Sequence, residues 1–213
     1  MKSFKQYIFE DIELVSGIRK TTRQDMNTAQ DEFDYSNKKN LGKIHKDYSL
    51  HKSGGDFYIT HDSSKKVVGH ITNQTPHKSK RLEVEAAAVH PEHTKKKTGH
   101  SLAVAAYKHL WNQGYTIKSG SEQSFGGKNV WFGKDGLMND SDTSEHVHAV
   151  HHPYGGKKTE LGLASKLHTG DIWQSGSGEV RRKAATKGIR MHKYQTPETD
   201  RAMDTYLELR PPK

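Results

Sequence analysis

Between Val84 and Tyr115 a strand-like apolar run ends at His90-Pro91, crosses a short turn and enters a helical pattern. Strand, turn and helix entry in that order build many phosphate-binding sites, because the first amides of a helix are unpaired and its dipole favours negative charge. The turn here, Thr94 to Gly99, carries Lys95, Lys96 and Lys97 where glycines would let the backbone close on a ligand. Its charge suits an anion, but a Cβ in a tightly curled backbone costs on the order of 1 kcal/mol where φ is positive. A lysine-rich surface turn would have the same residues. Just ahead of the turn, strand alternation puts Glu83 and Glu85 on one face.

Two further groups bear on chemistry. His146 and His148 alternate onto one side of a strand, with His151 and His152 close behind, but no carboxylate stands at a metal-ligand spacing, so no metal is expected. Arg181, Arg182 and Lys183 would suit phosphates, yet no aromatic residues interleave with them; they read as a solvated basic segment, and nucleic acid is only a weak expectation.

The elements that must position these residues come from a polar chain. Of 213 residues 31% are hydrophobic, and the mean hydropathy is −0.97, so a core must come from part of the sequence. The formal net charge of +9 favours acidic partners. With no cysteine, disulfides, thiolate metal sites and cysteine nucleophiles are excluded. No apolar run approaches the roughly 18 residues of a spanning helix, and the first residues lack a signal-peptide core, so a soluble, cytoplasmic protein without membrane contact is expected.

Phe4, Tyr7, Ile8 and Ile12 share one face of a short amphipathic helix, and residues 19–46 read as a polar arm. Together these make an N-terminal segment, 1–46. The next stretch, 47–139, alternates as three antiparallel strands, Asp47 to His51, Asp56 to His61 and Val67 to Thr72, separated by Gly54-Gly55 and Asp62-Ser63-Ser64. A fourth strand, Leu82 to Val89, precedes a helix from Gly99 to Gln113, with Gly114 as its C-terminal cap. The run from Tyr115 to Gly120 is then a fifth strand, parallel to the fourth because a helix connects them. A short glycine-interrupted helix or turn follows near Trp131. Residues 140–213 form a C-terminal extension in which His146 to Pro153 and Thr205 to Leu209 read as strands, possibly completing the sheet. The fold class is α+β with a mixed, mainly antiparallel sheet.

That order of elements resembles the GNAT superfamily of N-acetyltransferases over residues 47–137. The likeness is carried by VVGHI (67–71), by LEVEAAAVHPEHTKKKTGHSL (82–102) and by QGYTIKSGSEQSFGGKNVW (113–131), with AVHPEH as the best local match. The family turn runs Arg/Gln-x-x-Gly-x-Gly/Ala; here Thr94 and Lys97 depart from it and Gly99 keeps the last position. The resemblance implies acetyl-CoA as cofactor, contacted by Val89, Lys95, Lys96, Lys97, Thr98, Gly99 and His100. It also implies a general base from the fourth strand, Glu85 or Glu83, acting on an unnamed amine. The family's usual tyrosine acid has no counterpart, because Trp131 or Phe132 stands there and the nearest hydroxyls are Ser121 and Ser124.

A second reading comes from the opening MKSFKQYIFED, which is similar to the starts of many tailed-phage proteins. On that likeness the chain is a degenerate GNAT-like domain serving as a structural part of a virion. Its N-terminal helix and arm and its C-terminal extension would contact other subunits or another copy.

Overall fold

The computed structural model describes residues 23–73, 80–94, 101–119, 125–152, 157–167 and 205–212. Alternating Phe57 and Ile59 bury one side of β3 (Asp56–His61) in the main core, and its hairpin with β2 (Tyr48–Ser53) turns through Gly54 at φ +59°. Such a turn matches the strand twist and is cheap only for residues that tolerate positive φ. β4 (Val67–Asn73) adds to β3, and β5 (Arg81–Val89) adds to β4, all antiparallel.

The helix α2 (Leu102–Asn112) begins at Ser101, whose hydroxyl accepts from the Val104 amide at 3.4 Å, and ends at Gly114, φ +84°. It returns the chain to β6 (Thr116–Lys118), which lies parallel to β5. Beyond α3 (Phe125–Phe132), β7 (Val147–His151) pairs with β8 (Thr159–Leu163), and β9 (Thr205–Leu209) enters between β6 and β7. With the edge strand β1 (Lys39–His45), the described residues make one nine-stranded sheet, β1-β2-β3-β4-β5-β6-β9-β7-β8, with β5 and β6 its parallel pair. The fold is α+β with a mainly antiparallel sheet, as the sequence predicts.

The segment read as a polar arm is different. It contains a helix, α1 (Arg23–Glu32), and the edge strand β1 (Lys39–His45). Met26, Ala29 and Phe33 form a narrow apolar stripe that buries against Tyr58 and Val67 on one sheet face. Leu41 and Ile44 of β1 pack on the main core across the other face. A stripe this narrow is enough for an element that lies on an existing sheet, although it is too sparse to read as buried from the sequence. The expected helix at residues 4–12 lies outside the described residues.

The main core holds Leu50, Phe57, Ile59, Ile71, Leu82, Leu102, Leu110, Ile117, Val147, Leu207 and Leu209, all essentially inaccessible to solvent. α2 therefore lies on the face opposite α1. It is tied to the edge strand by His109 Nε2 and Gln113 Nε2, which contact the Leu41 carbonyl oxygen at 2.8 and 2.9 Å. No described helix is long and apolar enough to cross a membrane.

Candidate functional site

Strand β5 has two unlike edges. On one side it pairs with β4 from Val84 to Val89; on the other it meets β6 only over Arg81–Glu83 against Thr116–Lys118. Among the described residues, no strand pairs the second edge of Val84–Val89. A register shift falls where the pairing changes: Thr72 faces Ala86 but Asn73 faces Val84, which leaves Glu85 as the extra residue of a bulge. Bulges end pairing and raise local twist, and they are frequent beside active sites. Past the bulge Ala86 and Ala87 are exposed, although they belong to an inner strand. Methyl side chains leave room along this edge that larger residues would fill.

The predicted residues distribute as follows. Glu83 lies at the last paired position, on the face away from α2, and accepts an ion-pair hydrogen bond from Lys118. Glu85 belongs to β5 and its side chain lies outside the described part of the structure. Val89 ends β5, partly buried against the main core. Lys95, Lys96, Lys97, Thr98, Gly99 and His100 lie outside the described residues, as do Ser121, Ser124 and the Arg181–Lys183 cluster. Trp131 is buried in the core beside Tyr107, and Phe132 packs on the same core. The histidines are dispersed: His146 rests against Trp111, His148 contacts Glu160 at 2.8 Å, and His151 contacts Thr205. No group of three His, Asp or Glu suited to a metal occurs among the described residues.

Other residues join the site without a sequence signal. Lys118 Nζ stands 4.3 Å from the Tyr206 ring centre, with Lys158 on the same ring at 5.6 Å. Glu208, buried on β9, accepts from Arg81 (2.9 Å), Lys158 (3.1 Å) and Arg210 (2.9 Å). Burial pushes its carboxyl pKa up, but the hydrogen bonds and charges of Arg210 and Lys158 outweigh this and hold it below the usual range. The network clamps β5, β6 and β9 together where they are paired.

At the far end of β5, His93 packs against His61 and His90 at ring separations of 5.3 and 5.7 Å, and its Nδ1 meets the Tyr48 hydroxyl at 3.0 Å. Burial, then the neighbouring His61 and His90, lowers the His93 pKa. In sequence this cluster is followed by Lys95, Lys96 and Lys97. No family model, curated protein or solved structure matches the chain.

Proposed function

We propose that the protein is a GNAT-type N-acyltransferase that takes acyl-CoA along the open edge of β5. The observation carrying this reading is the bulge at Glu85, where β5 leaves β6 and continues to Val89 with Ala86 and Ala87 exposed, ahead in sequence of the three lysines and α2. An unpaired strand edge accepts an extended amide-bearing chain by main-chain hydrogen bonding, and a basic helix entry suits a pyrophosphate. The described part of the site fits such a group, because small side chains and free edge length coincide.

Acyl-CoA would supply the activated carbonyl, with the amine N–C bond forming as the C–S bond breaks. Glu85, the bulge residue, would attract a cationic amine by its charge. Glu83 is less suited to this, being neutralised by Lys118. Lys95 to Lys97 supply countercharge for phosphate. Titrating acetyl-CoA into the protein by calorimetry at low salt should give micromolar binding that Gly99→Arg abolishes; absence of heat at millimolar ligand contradicts the reading.

A second reading rests on the engagement of Glu83 by Lys118 and the burial of Trp131, which leave neither position free for acid–base work. On it the domain is a non-catalytic assembly part, for instance of a phage particle. Sedimentation showing a concentration-dependent oligomer, together with no response to acetyl-CoA, would favour it.

A further inference from the structure

The face of β4 and β5 that carries α1 also holds an imidazole fixed by a carboxylate and an aromatic ring. His70 lies on β4 directly opposite Ala88 of β5, one strand from the open edge and on the same face as Ala86 and Thr72. Its Nε2 donates to Asp56 Oδ2 at 3.0 Å. The ring stacks on Tyr58 with centres 4.5 Å apart and planes 13° apart. Asp56 is itself fixed, because its Oδ1 accepts from the Asn73 amide at 3.0 Å. A carboxylate accepts only, so the proton of the neutral ring is held on Nε2 and the lone pair is left on Nδ1. Among the described residues Nδ1 makes no hydrogen bond, and the side chain keeps 13% of its surface exposed.

We propose that His70 is the general base of the acyl transfer, with Asp56 and Tyr58 as positioning residues that fix its tautomer and plane. The proposal rests on the acyltransferase reading above and specifies its proton transfer. The amine arrives as an ammonium ion and gives one proton to His70 Nδ1, directly or through a water. The freed nitrogen then forms its bond to the acyl carbon as the C–S bond breaks, and its second proton leaves with the thiolate. Imidazole suits this better than a carboxylate, being the stronger base and able to take and release a proton near neutral pH. Stacking and the Asp56 hydrogen bond hold the ring in one orientation, which a surface histidine lacks.

The test uses the full chain, acetyl-CoA as donor and ethylamine as probe amine, with thiol release as the readout. His70→Ala should slow release by about 100-fold or more and leave acetyl-CoA binding unchanged. Added imidazole should restore the rate in His70→Ala and not in the wild type. If His70→Ala does not fold, His70→Gln, which keeps much of the side-chain volume, should show the same loss. Asp56→Asn should lose the fixed Nε2–H tautomer of His70 in ¹⁵N spectra and slow release by about tenfold. Wild-type release from a folded His70 variant that still binds acetyl-CoA overturns the base assignment alone, as does a His70 proton on Nδ1. A wild-type protein that binds no acetyl-CoA, or binds it without releasing thiol, overturns the assignment too, and the binding measurement shows whether the acyltransferase reading falls with it.

Discussion

The two ends of β5 differ in what they do for the molecule. From Arg81 to Glu83 the strand pairs with β6, Leu82 is fully buried, and Glu83 and Arg81 are bound by Lys118 and Glu208. From Val84 to Val89 it is paired on one side, and two alanines are exposed. Among the described residues the strand thus passes from one neighbour to the other, ion-paired and buried at its β6 end and leaving the edge of Val84–Val89 away from β4 without a strand, with the Glu85 bulge dividing the two parts. Substitutions at the first end should cost stability, and those at the second should cost binding.

The largest effect is expected at Leu82. Leu82→Ala removes a buried side chain from the main core and should destabilise by about 3 kcal/mol, read as a lower urea midpoint. Glu208→Gln should follow at about 2 kcal/mol, because three cations lose a buried carboxylate while staying partly solvated themselves. Its pH dependence has a definite sign. A carboxyl whose folded pKa lies below its unfolded value contributes stability at neutral pH that is lost as pH falls below about 4.5 and through the folded value. The Glu208→Gln protein should therefore show a flatter loss of stability in acid than the wild type.

At the open end, Ala86→Trp should leave the melt within about 0.5 kcal/mol of wild type and weaken acetyl-CoA by roughly tenfold or more, equivalent to about 1.4 kcal/mol. A destabilised Ala86→Trp protein would break the comparison, since it would mean that this edge is packed. The smallest effect belongs to His93. Its folded pKa is depressed, so the unfolded chain binds more protons below the unfolded value, and stability should rise with pH through about 6.5. His93→Gln should remove that slope without moving the neutral-pH melt as far as Leu82→Ala does.

Most of the frame was legible in the sequence because its signals are local. Alternation around Phe57 and Ile59, the Gly54-Gly55 turn and the β5-α2-β6 crossover depend on neighbours within a few residues. The strand Thr205–Leu209 was legible for the same reason, but its place between β6 and β7 was not, since no local pattern encodes pairing with residues 117 and 147. Burial of Glu208 follows from that non-local insertion, which brings Arg81 and Lys158 to it from distant positions. β1 and α1 were missed because Leu41 and Ile44, or Met26 and Ala29, make stripes too thin to stand out from their polar surroundings.

The candidate site was legible in part. Glu83 and Glu85 follow from alternation alone, whereas the bulge between them depends on β4, and Asp56 and His70 meet only because β3 and β4 pair. Tyr206 reaches Lys118 from the far end of the chain. The chemistry that depends on one strand could be read in advance, and the chemistry shared between strands could not.

The central claim is that the second edge of Val84–Val89 is a binding edge, and amide hydrogen exchange with and without acetyl-CoA tests it most directly. The amides of Val84–Val89 that point away from β4 should slow on addition of acetyl-CoA, with those of Arg81–Glu83, where the strand meets β6, unchanged. Equal exchange in both conditions, or slowing confined to Arg81–Glu83, would contradict it.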